Sequence, residues 1–347
     1  MNIRKVVHPE TKGKLMVAAE YQHYIALDWS QKIMVVARTT NSRREPQMIE
    51  RPANIKELKE YLACLQGRKI LTFEETTSAQ WLYLELYDVV DRIIICDPFY
   101  NRLLVHGPKS DKIDARKLCV LLCGGFLKEV FHSANELYEL RRLVSGYHDL
   151  VRAGVRALNQ NHALDRAAGT SNAAGHFARF VQNHLQQSIE LYHQTKLEYE
   201  KKFEHLCRRN KLLKAHTGLH GIGTIGAVKI LAYVVDARRF PRAGHYLSYC
   251  GLVKHEKLSG GRSYGRRKGR YNHVLKAVYK TAALAAIAGD NPVREYYDYL
   301  LGKGIAEHNA RHAVARYLAK VSYGMLKTGQ PYQPYRWREE ADNTMNT

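Results

Sequence analysis

Four acidic residues in the first third of the chain stand where a metal-dependent phosphoryl-transfer site needs carboxylates. Asp28 and Glu74 each end an apolar run, whereas Asp111 and Asp114 lie one helical turn apart. Carboxylates at the ends of hydrophobic strands are costly to leave unpaired, and Mg2+ is a hard cation that prefers oxygen ligands. Two metal ions about 3.5–4 Å apart clamp the attacking and leaving oxygens of a phosphodiester. The four residues therefore predict Mg2+-dependent chemistry on nucleic acid, with Asp28 bridging the ions.

Two alternatives stay open within this set. Glu75 competes with Glu74, but strand alternation sends Glu75 to the opposite face of the sheet together with Phe73, so Glu74 is the predicted ligand. Each carboxylate could instead be a solvated surface charge or a helix cap, and Asp111 is suited to an N-cap position. The order and context of the four residues favour the metal site.

A second candidate for chemistry is Ser259, which lies in the glycine-rich and basic stretch 254–270. A serine hydroxyl is a poor nucleophile unless its proton is removed and the charge on the phosphate is stabilised, which arginines do through bidentate contacts. Ser263 is an equal candidate on chemistry alone, and a turn serine is the ordinary alternative. The stretch predicts a flexible basic loop or, preferably, a phosphate-handling loop. Its nucleic-acid-binding candidates are Lys254, Lys257, Arg262, Arg266, Arg267, Lys268 and Arg270.

Two glycines precede an apolar helix predicted over residues 225–235. Gly221 and Gly223 stand in the segment Leu219-His220-Gly221-Ile222-Gly223-Thr224. Glycines at the start of a helix let backbone N–H groups approach a phosphate, helped by the helix dipole. The pattern resembles the hairpin of a helix-hairpin-helix DNA-binding element, and an ordinary tight turn is the alternative.

The composition indicates a folded protein with a polyanionic partner. Of the 347 residues 45% are hydrophobic, which is enough for real cores. The chain has 54 Lys and Arg against 33 Asp and Glu, a net charge of +21, with 17 His besides. Each phosphate that a cation neutralises releases condensed counterions, so nucleic acid is the expected partner.

Cysteine usage and hydropathy indicate the compartment. The six cysteines are scattered and lack the paired spacing of a zinc site, so core thiols in a reducing compartment are expected. No apolar stretch reaches the roughly 20 residues of a membrane span. Residues 1–20 form a basic lead without the apolar core of a signal peptide. We therefore expect a cytoplasmic protein.

The elements that must position the four carboxylates follow an α/β order. Strands are predicted at 23–28, 33–38, 47–50, 69–74 and 92–96. Helices are predicted between the third and fourth strands (Ile55, Leu58, Tyr61, Leu62, Leu65), near 80–90 and from Asp111 onward. Three strands followed by alternating helix and strand is the order of an RNase H-like fold.

The rest of the chain is predicted to be mainly helical. Residues 134–210 form two charged helices broken near 168–175, and further helices are expected at 272–288 and 306–326, before a polar tail at 336–347. An apolar stripe near coiled-coil spacing predicts a spacer or dimerisation arm, with dimerisation preferred over an intramolecular hairpin. The stripe comprises Val181, Leu185, Ile189, Tyr192, Tyr199, Phe203 and Leu206.

Taken together, these residues resemble the DEDD transposases of the insertion sequence 110 family, which includes the Piv-type DNA invertases. In the N-terminal half the resemblance rests on the strand ending in Asp28 and on the segments 73–77 and 110–115. In the C-terminal half it rests on the segments 219–223, 249–252, 259–261 and 323–329. The linked set covers nearly the whole chain and is specific, although no single member is.

The resemblance implies an architecture and a site. It implies an RNase H-like (RuvC-like) domain at 21–132, a helical coiled-coil region at 133–212 and a mainly helical transposase domain at 213–335. It implies that Asp28, Glu74, Asp111 and Asp114 bind Mg2+. It also implies that Ser259 attacks the DNA phosphodiester and becomes covalently linked to it.

The resemblance also implies partners. Members act on donor and target DNA as homodimers or homotetramers, guided by a structured non-coding (bridge) RNA that is encoded beside the gene. The expectation is therefore a bacterial, nucleoid-associated transposase or recombinase. The alternatives are a RuvC-type structure-specific endonuclease, a Piv-like invertase without guide RNA, and a non-catalytic nucleic-acid-binding protein.

Overall fold

The protein is described by a computed structural model that covers residues 21–41, 45–100, 110–168, 175–267 and 269–335. The chain divides into two compact units, Met1–Asn135 and Glu136–Thr347. The predicted domain boundaries after residues 132 and 212 stay predictions. The predicted basic lead at 1–20 and the polar tail at 336–347 lie outside the described residues.

The first unit contains its strands and helices in the predicted order. Its strands are β1 (His23–Trp29), β2 (Ile33–Thr39), β3 (Gln47–Pro52), β4 (Lys69–Glu74) and β5 (Arg92–Cys96), and its helices are α1 (Ile55–Cys64), α2 (Ala79–Leu86) and α3 (Asp111–Cys123). Helix α2 ends earlier than predicted because the chain must return to the sheet. Asp91 accepts from the Lys69 amide and donates its own amide to the Lys69 carbonyl, which places β5 beside β4.

The five strands form one mixed sheet in the order β3-β2-β1-β4-β5. The pairs β1–β2 and β2–β3 are antiparallel, whereas β1–β4 and β4–β5 are parallel. This arrangement is compatible with an RNase H-like fold. Because β1, β4 and β5 are parallel, their carboxyl ends lie at the same edge of the sheet.

The two faces of the sheet pack on different helices. Ile25, Leu27 and Phe73 belong to the core shared with α1 and α2. On the other face, Ala26 packs with Ala115 and neighbouring residues of α3. Residues alternate between the faces along each strand, so the sheet assigns every side chain at its edge to one helical layer.

The second unit is helical except for one hairpin. Its elements are α4 (Leu140–Ala168), α5 (His176–Arg209), α6 (Lys211–Thr217), α7 (Thr224–Val234), α8 (Ala243–Tyr249), β6 (His255–Ser259), β7 (Arg262–Arg267), α9 (His273–Ile287), α10 (Pro292–Gly302) and α11 (Glu307–Thr328). The prediction of a loop at 254–270 is wrong for the span of β6 and β7, which pair antiparallel. Among the described helices, none is long and apolar enough to cross a membrane.

Helices α4 and α5 pack against each other as an antiparallel pair. A Cβ added at Gly154 of α4 would come within 2.3 Å of the Tyr192 ring of α5. The Tyr147 and Phe203 rings lie 5.3 Å apart in an edge-to-face contact. Tyr192 and Phe203 of the predicted stripe therefore pack within the chain, as the intramolecular-hairpin alternative expects, whereas Val181 is exposed. A homodimer or homotetramer stays a prediction.

A buried polar network ties the core helices of the second unit together. Tyr279 of α9 donates a hydrogen bond to Ser322 of α11 (2.8 Å), and the Ser322 hydroxyl lies 3.1 Å from Nε2 of His216 on α6. Nδ1 of His216 lies 2.8 Å from the Leu212 carbonyl. Burial lowers the pKa of His216. The neutral ring that results fits a network whose members are otherwise uncharged.

Candidate active site

The sheet brings two of the predicted carboxylates to one edge and one face. Ala26 of β1 is paired in parallel register with Thr72 of β4, two residues before Asp28 and Glu74 respectively. Phe73 packs on the α1 and α2 side, so its neighbour Glu74 points to the α3 side together with Asp28. The predicted orientation of Glu74 is thus the one the sheet produces.

Helix α3 supplies the other two carboxylates. Ser110 is its N-cap and accepts a hydrogen bond from the Ile113 amide (3.3 Å), so the N-cap alternative for Asp111 is wrong. Asp111 and Asp114 occupy the first turn, where the helix dipole favours negative charge. The next residue, Ala115, is fully buried against the sheet and fixes this end of the helix.

The four carboxylates are close enough to influence one another. Partial burial raises the pKa of Asp28 from 3.8 to about 6, and the charges of Asp111, Asp114 and Glu74 contribute to that shift. Like charges gathered in a partly desolvated place favour protonation of one member. The sheet edge and the start of α3 therefore form one acidic cluster, which we call the carboxylate cluster.

The carboxylate cluster has the donor chemistry of a hard divalent cation. All four groups offer oxygen ligands, and a cation would offset the repulsion that contributes, after burial, to the raised pKa of Asp28. In the part of the chain that the structure describes, no three His, Cys, Asp or Glu side chains are arranged as a metal-binding group. Mg2+ binding by these residues therefore stays a prediction.

Glu75, the competitor of Glu74, is held on the other side of the sheet. Its carboxylate oxygen lies 2.5 Å from Nε2 of His132, whose side chain is 3% exposed. Nδ1 of His132 lies 2.8 Å from the side-chain oxygen of Gln80, and Gln80 donates to the Ser133 carbonyl (3.0 Å). These contacts engage Glu75 with α2 and with the segment after α3, which favours Glu74 as the member of the carboxylate cluster.

Ser259 lies at the end of β6, beside a two-residue turn. Gly260 and Gly261 have φ values of 56° and 76°, as a type I′ hairpin turn requires. Ser259 and Arg262 flank the turn and are paired directly across it. Every residue of β6 and β7 is exposed. The hairpin therefore contributes nothing to a core, and an isolated two-stranded hairpin is only marginally stable in water.

The two faces of the hairpin differ chemically, and a bulge in β7 influences which residues lie on each face. Leu258 pairs with Ser263, but Glu256 pairs with Arg266, so β7 carries one extra residue, at Tyr264–Gly265. Paired residues share a face and neighbours alternate. One face, which we call the serine face, carries His255, Lys257, Ser259, Arg262, Tyr264 and Arg267. The opposite face carries Glu256, Leu258, Ser263 and Arg266.

The two serines that are equal on chemistry are therefore not equal in position. Ser259 shares its face with Arg262, whereas Ser263 lies on the opposite face beside Leu258. On that opposite face the charge of Arg266 is neutralised by Glu256, at 3.3 Å. Ser259 has the more cationic surroundings, which is the environment that an attack on a phosphodiester needs.

The remaining nucleic-acid-binding candidates flank these elements. Lys254 precedes β6 and Arg270 follows β7, both exposed, and Lys268 lies outside the described residues. Gly221 has φ +84°, and a Cβ there would come within 2.1 Å of the Ala282 carbonyl oxygen of α9. The close approach of α9 is by itself enough to require glycine at position 221. Gly223 has open space around its Cβ position.

A cavity of about 700 Å3 opens at the start of α7. Gly223 is the N-cap of α7 and provides no capping side chain. Lys229 lines the cavity, burial lowers its pKa, and its ammonium lies 5.5 Å from the centre of the Tyr147 ring. The lining also includes His148, Glu200, Glu204 and His273. Phosphate binding by Gly221 and Gly223 stays a prediction.

Two residues near the candidate sites are not predicted from the sequence. His132 reaches Glu75 across 57 positions of sequence, and a single histidine in an irregular segment carries no periodic signal. Tyr264 stands between Ser263 and Gly265 in a stretch without apolar alternation, although an aromatic residue among arginines is itself a signal for nucleic-acid contact.

The chain is similar to a known protein family in its second unit. Residues 215–298 match the family model described as Transposase IS116/IS110/IS902 family. The matched segment includes α7, the β6–β7 hairpin with Ser259, and α9. No relative among curated proteins matches the chain.

The raised pKa of Asp28 generates a stability prediction. Because this pKa is higher in the folded than in the unfolded chain, ionisation of Asp28 costs folding free energy, and the cost appears as the pH rises from about 4 to about 6. We expect Asp28→Asn to stabilise the metal-free protein at pH 8 by about 1 kcal/mol, since solvent screening reduces the full effect. Thermal melting in chelator at pH 8 and pH 4 measures it.

Glu60→Gln is the matched control, because Glu60 is an exposed carboxylate on α1 outside the carboxylate cluster. This variant is expected to melt like the wild type at both pH values. An Asp28→Asn protein that is no more stable than the wild type at pH 8 would contradict the cost that burial and the neighbouring carboxylates place on ionised Asp28.

Proposed function

We propose that the chain, whose residues 215–298 match the IS116/IS110/IS902 transposase family, is a transposase that cuts and rejoins DNA strands by serine attack on the phosphodiester. The observation that carries the proposal is the position of Ser259. It lies within the matched segment, at the tip of an exposed hairpin and directly across from Arg262. A nucleophile presented this way can reach the backbone of a large, rigid substrate.

The proposed chemistry is a transesterification. The Ser259 hydroxyl loses its proton to a base, and its Oγ forms a bond to phosphorus as the bond between phosphorus and one deoxyribose oxygen breaks. The released oxygen takes up a proton. Rejoining is the reverse reaction with the hydroxyl of another strand, so the energy of the phosphodiester is kept in the protein–DNA link. Arg262 stabilises the negative charge that develops on the phosphate.

The carboxylate cluster supports a role for Mg2+ in the same reaction. Asp28, Glu74, Asp111 and Asp114 would hold the ions, which supply charge neutralisation at the phosphate oxygens when bound. The protein's own part is to keep four like charges together, through the β1–β4 register and the packing of α3. A cation would be attracted by all four negative charges, whose mutual repulsion adds to the effect of burial on the pKa of Asp28.

The proposed partners are donor DNA, target DNA and a structured guide RNA. The net charge of +21 supports a chain that holds several polyanions at once. Sequence readout by RNA pairing would explain why specificity needs few side chains. A homodimer or homotetramer and a nucleoid-associated location belong to the same proposal.

A nuclease is the second candidate function. The carboxylate cluster alone is sufficient chemistry for a RuvC-type, metal-dependent endonuclease, because such an enzyme uses water as the nucleophile. A Piv-like invertase would keep the serine and dispense with the guide RNA. The three functions differ in their need for Ser259 and for RNA.

The two serines of the hairpin test the nucleophile. We expect Ser259→Ala to abolish strand exchange and the covalent protein–DNA adduct, with a loss of at least about 1,000-fold, because no other group replaces an attacking oxygen. Ser263→Ala on the opposite face is the control and should stay within about threefold of the wild type. The assay follows adducts on denaturing gels with a plasmid that carries the gene and its native flanks. Full recombination by Ser259→Ala would refute the serine mechanism.

The two neighbouring glutamates test the metal site. A ligand that binds the folded state raises its melting temperature, so Mg2+ is expected to stabilise the wild type by a few degrees. Glu74→Gln should lose most of this increment, whereas Glu75→Gln should keep it whatever its baseline stability. If the Mg2+-induced rise in melting temperature disappears with Glu75→Gln but remains with Glu74→Gln, the metal site lies on the other side of the sheet.

Nucleic acid that purifies with the protein tests the guide RNA. We expect a discrete RNA that is encoded next to the gene and is degraded by RNase but not by DNase after the bound material is extracted and sequenced. A guide held in a defined complex gives one dominant species, whereas charge attraction alone gives a mixture. A mixture without a dominant species, or no RNA, would favour the alternative functions of a Piv-like invertase or a RuvC-type nuclease.

A further inference from the structure

The serine face carries positive charge that no described residue of the protein neutralises. Lys257, Arg262 and Arg267 lie on it, and none of them forms an ion pair with a carboxylate among the described residues. The only acidic residue of the hairpin, Glu256, lies on the opposite face and is paired with Arg266. Arg266 and Arg267 are adjacent in β7 and therefore lie on opposite faces, Arg266 beside Glu256 and Arg267 on the serine face.

Tyr264 is the aromatic residue of this cationic face. Its side chain is 68% exposed, and within the described part of the chain its ring contacts no other ring, cation or hydrogen-bond partner. It follows Arg262 by two residues on the same strand, about 7 Å along β7. The ring therefore stands beside the Ser259–Arg262 pair without any role in holding the hairpin or the core.

An exposed ring among unpaired cations fits a particular kind of ligand. Aromatic rings stack on nucleobases, and neighbouring Lys and Arg side chains follow the phosphates of the same strand. In a duplex the faces of each base are covered by its neighbours, so stacking on a protein ring requires an unpaired or flipped base.

We propose that Tyr264 is a strand-positioning residue that stacks on an unpaired DNA base next to the phosphodiester that Ser259 attacks. The inference rests on the proposed function and specifies the substrate of that site: single-stranded or locally opened DNA, rather than closed duplex. Stacking at Tyr264 fixes the base, the cations of the serine face fix its phosphates, and Ser259 then meets a phosphodiester of defined position.

Photochemical cross-linking tests the contact directly. The probe is a mixed-sequence single-stranded DNA of about 20 nucleotides in which 5-iododeoxyuridine replaces thymidine, because iodinated bases cross-link to aromatic rings that stack on them. The full-length protein, stripped of bound nucleic acid in high salt, is irradiated with the probe and the cross-linked peptides are mapped by mass spectrometry. Cross-links at Tyr264 are expected with the single strand and at least fivefold fewer with the matching duplex.

Substitutions separate stacking from hairpin folding. Tyr264→Ile keeps a β-favouring apolar side chain but removes the ring, and it should lose the cross-link in β7 and weaken single-strand binding about 5- to 20-fold. Tyr264→Trp should keep both. Leu258→Ala is the matched control, because Leu258 is 67% exposed on the opposite face, and it should behave as the wild type.

Four outcomes refute the contact between Tyr264 and an unpaired DNA base: no cross-link at Tyr264, unchanged single-strand binding by Tyr264→Ile, an equal loss with Leu258→Ala, or a contact seen only with an iodouridine RNA of the same sequence. Ser259→Ala keeps the contact, so cross-linking does not depend on the serine chemistry. A Ser259 adduct that forms normally in Tyr264→Ile refutes the positioning role and leaves the proposed function intact. Cross-linking at Tyr264 without any Ser259 adduct supports the contact while the serine mechanism fails.

Discussion

Repulsion among four carboxylates is the constraint on which the first unit depends. Asp28, Glu74, Asp111 and Asp114 come together although their charges oppose it, and the raised pKa of Asp28 reflects that opposition together with burial. Burial of apolar side chains opposes this repulsion. Fully buried residues of β1, β4 and α3 hold the strand register and the start of the helix in place, so that the carboxylates at their ends have no freedom to separate. The dipole of α3 and its Ser110 cap help at the point where two charges share one helical turn.

The parts of this site that the sequence predicts are those with a strong local signal. Apolar runs that end in Asp28 and Glu74 mark two parallel strands, and the alternation of side chains along a strand is enough to separate Glu74 from Glu75. The His132 contact depends on how the segment after α3 returns along β5, which no local pattern encodes. Helix α10 is not among the predicted elements, although Asn291 and Pro292 form a recognisable start signal and the Asn291 side chain caps the helix.

The hairpin of Ser259 shows a different limit of sequence reasoning. Strand prediction relies on one buried face, and β6 and β7 have none, so their residues resemble a loop. The paired glycines do mark a turn, but the bulge depends on the register between the strands. That register decides which arginine stands beside Ser259 and which is neutralised by Glu256. Chemistry alone therefore leaves two serines equal, and geometry separates them.

The exposed hairpin also has a consequence for how such a protein changes over time. Since the side chains of β6 and β7 bury nothing, most substitutions of them carry no packing penalty, and selection acts on them through the bound partner. The turn is different, because the positive φ values of Gly260 and Gly261 favour glycine at both positions. Sequence drift is thus tolerated in the strands of the hairpin, whereas the turn that joins them is constrained. The strand side chains form an adjustable surface on a fixed frame, where new substrate preferences can arise without loss of the fold.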